Sequence, residues 1–172
     1  MAQTSWPFEN IDTSETQFSL WASNIGQGVI ADKGFELETF ADSSGMNVKV
    51  KTGQALVRGH YYDSTAQETL TIANADLSNP RIDVVVLRLD PSANSIVLAV
   101  VTGTPGSSPS APALTQTVGA IYELPLAEVL VDAAAATIAP AKVTDLRALF
   151  TPWTGVPRDQ GETISSLLLI GA

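Results

Sequence analysis

The chain has 172 residues, 45% of them apolar and only 16% charged, against about 25% charged in an average soluble domain. Nine Lys and Arg against eighteen Asp and Glu give a formal net charge of −9, which excludes binding driven by the phosphates of DNA or RNA. The absence of cysteine and the single histidine exclude disulfides, thiolate nucleophiles and Cys-ligated metal centres.

The opening MAQTSWPFENIDTSE has no basic stretch followed by an apolar one, so synthesis in the cytosol without a secretory signal is expected. Asp12 and Glu15 have the spacing of a capping box, and Phe18, Trp21, Ala22 and Ile25 fall at i, i+3, i+4 and i+7. This pattern predicts an amphipathic helix over 13–24 with Phe18 and Trp21 in a buried stripe. Gly26 and Gly28 then end it. The same glycines with Ala31 imitate a dinucleotide fingerprint, but that motif needs a strand before it and a helix after it, and here the helix comes first.

From residue 46 the period changes to two. Val48 and Val50 point one way and Lys49 and Lys51 the other, Thr52-Gly53 supplies a turn, and Ala55, Val57, Gly59 and Tyr61 share a face of a second strand. A hairpin of 46–51 with 53–62 is the expectation. Residues 69–73 form a short strand, and 82–90 pairs with 95–103 as the strongest hairpin in the chain. In that pair Val84 and Val86 occupy one face and Val85, Leu87 and Leu89 the other, while Leu98 and Val100 sit opposite Val97, Ala99 and Val101. Strands apolar on both faces are covered on both faces. The outer cover is either the N-terminal helix or another copy of the chain, and the second is the expectation, which makes Val84, Val86, Leu87, Leu98 and Val100 interface candidates.

The proline-bearing segment 104–116 reads as an extended connection or an exposed arm. Residues 120–131 form a strand whose apolar parity shifts near Pro125, the mark of a bulge on an edge strand. Residues 151–172, with Pro152, Pro157 and Gly161, read as a separate tail. The longest apolar runs, at 84–87 and 167–170, are too short to cross a bilayer, so a soluble chain without membrane insertion is expected. Together these features predict a mainly β chain. An N-terminal arm and amphipathic helix occupy 1–45, a small antiparallel β-sandwich-like domain 46–150, and an extended docking tail 151–172.

The chemistry on offer is sparse. His60 is the one side chain that titrates near neutrality without perturbation, yet no nucleophile or metal motif accompanies it. Glu36, Glu38, Asp42, Asp63, Glu123 and Glu128 supply carboxylates, but spacing selects no hydrolytic pair and no calcium-loop motif occurs. Neither an enzyme nor a cofactor site is expected. Among the aromatics Trp6, Phe8, Trp21, Tyr61, Tyr62, Tyr122 and Trp153, Tyr61 and Tyr62 are the candidates for ligand contact and Trp153 for an interface. Arg81 with Asp83 and Asp145 with Arg147 flank apolar runs, where charges pair within a chain or across an interface.

The ordered set Ser44–Ser64, NPRIDVVVLRLD, SIVLAVVTGTPGSSPSAPALTQ, YELPLAEVLV and VTDLR, preceded by SWPFENIDTSETQFSLW, resembles the minor tail or baseplate proteins of long-tailed phages of actinobacteria and related hosts. The likeness covers residues 5 to 148. Gly59, His60, Tyr61 and Tyr62 match one segment of the family, Asn79, Pro80, Arg81 and Asp83 another, and Thr144, Asp145, Leu146 and Arg147 the last. The resemblance implies a non-enzymatic virion component at the tail tip, homotrimeric, made in the host cytoplasm. Its partners would be other tail or baseplate proteins and, in the alternative of a receptor-binding module, a host surface glycan. Many members continue into fibre or carbohydrate-binding sections, so the short stretch after Arg147 implies a connector.

Overall fold

The computed structural model describes residues 12–31 and 34–151. The expectations placed on Trp6, Phe8, Trp153 and the tail beyond Thr151 lie outside them. Helix α1 (Glu15–Ala22) is capped by Ser14, whose hydroxyl accepts from the Gln17 backbone N–H while the Gln17 side chain accepts from the Ser14 N–H. The capping box is thus Ser14 with Gln17, not Asp12 with Glu15. Glu15 falls instead in the first turn, where its charge complements the helix dipole.

Among the described residues eleven strands follow: β1 (Gly28–Ile30), β2 (Thr39–Phe40), β3 (Asn47–Val50), β4 (Gly53–Val57), β5 (His60–Ser64), β6 (Glu68–Thr71), β7 (Arg81–Asp90), β8 (Ser95–Val101), β9 (Tyr122–Val131), β10 (Val143–Asp145) and β11 (Leu149–Phe150). They make three sheets, ordered β11-β1-β4-β5, β2-β3-β6 and β10-β9-β7-β8. One apolar cluster lies among them. Val29, Val48, Val50, Ala55 and Val57 come from the first two sheets, and Val85, Leu87, Leu89, Leu124, Leu126 and Val129 from the third. The mainly β, sandwich-like architecture follows from this alternation: the longer strands of all three sheets send alternate side chains into the shared core. The segment read as an arm contributes β1 and β2, so the β domain begins before residue 46.

The hairpin expected across Thr52-Gly53 does not form. β3 pairs with β2 and β6, and β4 with β1 and β5. A segment wedges in at the corner: Leu37 N–H donates to Thr52 O and Lys51 N–H to Glu38 O, and a Cβ on Gly53 would lie 2.7 Å from Glu36 Cβ. The chain passes from one sheet to another there. The real hairpin is inside the stretch read as a single strand. Val57 pairs with His60 across Arg58-Gly59, with φ of 52° and 81°, the doubly positive geometry of a two-residue type I′ turn.

β8 and β9 flank β7 and are both antiparallel to it, hence parallel to each other. Parallel strands need a crossover, so residues 102–121 must return from the Val84 end of β7 to the Leu89 end. Gly106 N–H donates to Pro80 O at 3.0 Å, and Thr115 N–H reaches the Glu123 carboxylate at 2.7 Å. Glu123 stands opposite Arg88 on the Val84–Val86 face, so the crossover returns on that side. The result corrects the interface expectation: Val84, Val86 and Leu87 are 2%, 0% and 0% exposed within a single chain. Leu98 and Val100 are half-buried against the same core. The bulge is present, with Val86 opposite Pro125 and Val85 opposite Ala127, but β9 is an interior strand. The missing proline N–H is tolerated because β10 pairs only with Ala127 to Val129.

Thr39 faces the core beside Val50, and its buried hydroxyl has no hydrogen-bond partner. Thr39→Val keeps the shape and removes an unsatisfied polar group, so a gain of about 1 kcal/mol in chemical denaturation is expected. A loss of similar size would show that the hydroxyl is satisfied.

Candidate functional site

α1 meets the body of the protein over the type I′ turn, where a Cβ on Gly59 would lie 1.9 Å from Ser19 O. A cleft of about 570 Å³ opens beside this contact, lined by Glu15, Phe18, His60, Tyr61, Asn94 and Ser95 among others. A smaller recess of about 210 Å³ lies against Leu20, Arg58 and the 117–120 loop. Ser19, His60, Leu89 and Pro91 line both, so the helix bridges a single depression.

The helix buries only Ala22. Phe18, Leu20 and Trp21 are 58%, 56% and 55% exposed, which overturns the buried stripe. The Phe18 and Trp21 rings meet each other at 5.7 Å between centroids rather than a partner element. The 3.6-residue periodicity places these side chains together on a face but does not supply anything to cover it.

Tyr61 and Tyr62 alternate across β5 and so part company. Tyr61 is exposed at the cleft, opposite Leu56, while Tyr62 packs on the core, where burial raises its pKa above the usual phenol range. Of the two ligand-contact candidates, only Tyr61 faces an open cleft. His60 Nδ1 stands 3.9 Å from Glu15 Oε1, linking α1 to β5. The hydroxyls among the cleft's lining side chains are those of Tyr61, Ser95 and Ser19, the last donating to Thr16 O.

Arg81 and Asp83 hold the fold from inside. Arg81 and Asp83 are 3% and 0% exposed and form a two-pronged pair, Nε to Oδ1 at 2.9 Å and Nη2 to Oδ2 at 3.1 Å. Arg81 Nη1 also donates to Asn74 O at 2.7 Å, and Asp83 accepts from Gly103 N–H at 2.9 Å. They are therefore internal to one subunit, not interface groups, because the chain itself supplies every partner. Arg147 clasps Asp145 through Nε and Nη2, each at 2.8 Å, and donates to Glu36 O at 2.6 Å. The Arg147 hydrogen bond holds the Asp145 carboxyl below its usual range and raises the guanidinium's own pKa.

The carboxylates are dispersed in the same way. Glu38 pairs with Lys51, Asp42 with Lys49, and the buried Glu123 takes Arg88 at 2.9 and 2.6 Å. The Lys49 hydrogen bond depresses the Asp42 pKa strongly. Among the described residues no three His, Asp or Glu side chains are grouped as for a metal ion, and no helix is long and apolar enough to cross a membrane. What sequence reasoning missed is the apolar surface around α1, extended by Val118 at 71% exposure in the 117–120 loop. No profile of a known protein family, no curated protein and no solved structure matches this chain.

Proposed function

We propose that the chain is a non-enzymatic structural subunit of a phage tail tip or baseplate, assembling as a homotrimer and joining the tail to neighbouring proteins of the virion. The observation that carries the reading is the exposed Phe18–Trp21 pair on one face of α1, with Leu20 exposed on another. Three large apolar side chains, each more than half exposed on one short helix, favour burial against another protein surface. All three residues lie within SWPFENIDTSETQFSLW, one of the segments that carry the phage-tail resemblance. The dispersed, internally paired charges support a scaffold role over a catalytic one.

Light scattering at micromolar concentration is expected to give three times the 18.0 kDa chain mass. Phe18→Ser with Trp21→Glu removes about half of two large side chains from the contact. At about 1.5–3 kcal/mol for a full aliphatic or aromatic burial, the concentration needed for assembly should rise at least tenfold while far-UV circular dichroism stays unchanged. A stable monomer of the unaltered chain would overturn the reading.

A further inference from the structure

β8 ends its sheet, and its outer edge pairs with no strand among the described residues. Such an edge presents a row of backbone donors and acceptors to any extended segment, and proteins that remain monomeric guard it with Lys, Pro, a bulge or brevity. β8 has none of these guards. It reads SIVLAVV, seven residues without charge or proline, in unbroken register with β7 from Asp90 opposite Ser95 to Val84 opposite Val101. Both of its faces are incompletely covered: Ile96, Leu98 and Val100 pack partly on the core, and Val97 on the other face is 49% exposed.

Outside the described residues the chain carries a stretch of equal length and the same chemistry, Ile164 to Ile170, ISSLLLI, with neither charge nor proline. At a period of two, Ile164, Leu168 and Ile170 fall on one face and Leu167 and Leu169 on the other, so it offers apolar groups to both incomplete faces of β8. The 13 residue steps from Thr151 to Ile164 extend to about 45 Å, some three times the radius of gyration of about 15 Å for a domain of this length. That reach is long enough for the segment to meet the β8 of a neighbouring subunit.

We infer that β8 receives residues 164–170 of a neighbouring copy as an added strand. The inference rests on the self-association proposed above and names its chemistry: main-chain hydrogen bonds along β8, with alternate leucines as side-chain anchors. Each tail given to the next subunit is a head-to-tail contact, which closes into a ring when repeated about a threefold axis.

The absence of native cysteine makes the test clean. Chains carrying Val97→Cys are co-expressed with differently tagged chains carrying Cys at one of positions 166 to 169, then oxidised. Disulfide-linked pairs of the two tags are expected, with yields alternating at every second tail position, since only one strand face meets Val97. Leu168→Pro in the otherwise unaltered chain is expected to raise the dissociation constant of assembly at least tenfold without altering the monomer's circular dichroism. Linkage within one chain in a Val97→Cys, Leu168→Cys double variant, or no alternation, overturns the inference. Oligomers that form without the cross-link sink this contact but leave the assembly reading standing; a monomeric unaltered chain sinks both.

Discussion

Asp83→Ala is expected to lower the unfolding free energy by about 3–5 kcal/mol, because it strands the Arg81 guanidinium in the protein interior. Removing the carboxylate also leaves the Gly103 N–H without its acceptor. A long-range effect would have the opposite sign, since loss of one negative charge relieves a chain of formal charge −9. Arg81→Met combined with Asp83→Leu should recover much of the loss, because the buried charge disappears with its partner. Urea unfolding followed by circular dichroism measures both. A single variant that loses less than about 1 kcal/mol would mean that water reaches Arg81.

Gly59→Val is expected to release α1 from the body of the protein and cost about 1–3 kcal/mol overall. Two causes act at this position. The φ of 81° is unfavourable for a β-branched residue, and any Cβ would stand 1.9 Å from Ser19 O. Since α1 buries only Ala22, the clash is relieved by the helix leaving before the sheet distorts. Gly59→Asn separates the two causes: asparagine tolerates positive φ, so the hairpin survives while the helix is still expelled. Hydrogen exchange over Glu15–Ala22 reads the release directly. Protection there unchanged in both variants would show that α1 does not rest on Gly59.

The elements legible in advance were those set by local chemistry. Asp90 to Ser95 is a polar turn between two apolar runs, and β7 and β8 begin and end within two residues of the expected hairpin. The parity shift at Pro125 announced a real bulge. The helix between Asp12 and Gly26 was legible too, although its cap lies at Ser14. Less of the candidate site could be read. Tyr61 was singled out and does face the cleft, but the cleft exists because α1, the Arg58-Gly59 turn and the β7–β8 turn converge from distant parts of the chain.

Alternation and spacing specify which side chains share a face, because that depends on backbone geometry within a few residues. By itself the sequence therefore determined a mainly β chain, poor in charge, with one short helix and apolar strands needing cover on both sides. Identifying the cover requires the path of the whole chain, and here the tertiary structure decided against the sequence reading. The 102–121 crossover places the Val84 face inside one subunit, and Arg81 and Asp83, on the opposite face of β7, are buried against each other. Phe18 and Trp21, expected in the core, are left at the surface because no strand among the described residues passes over them. Burial is a property of what arrives from elsewhere in the chain, and no local pattern encodes that arrival.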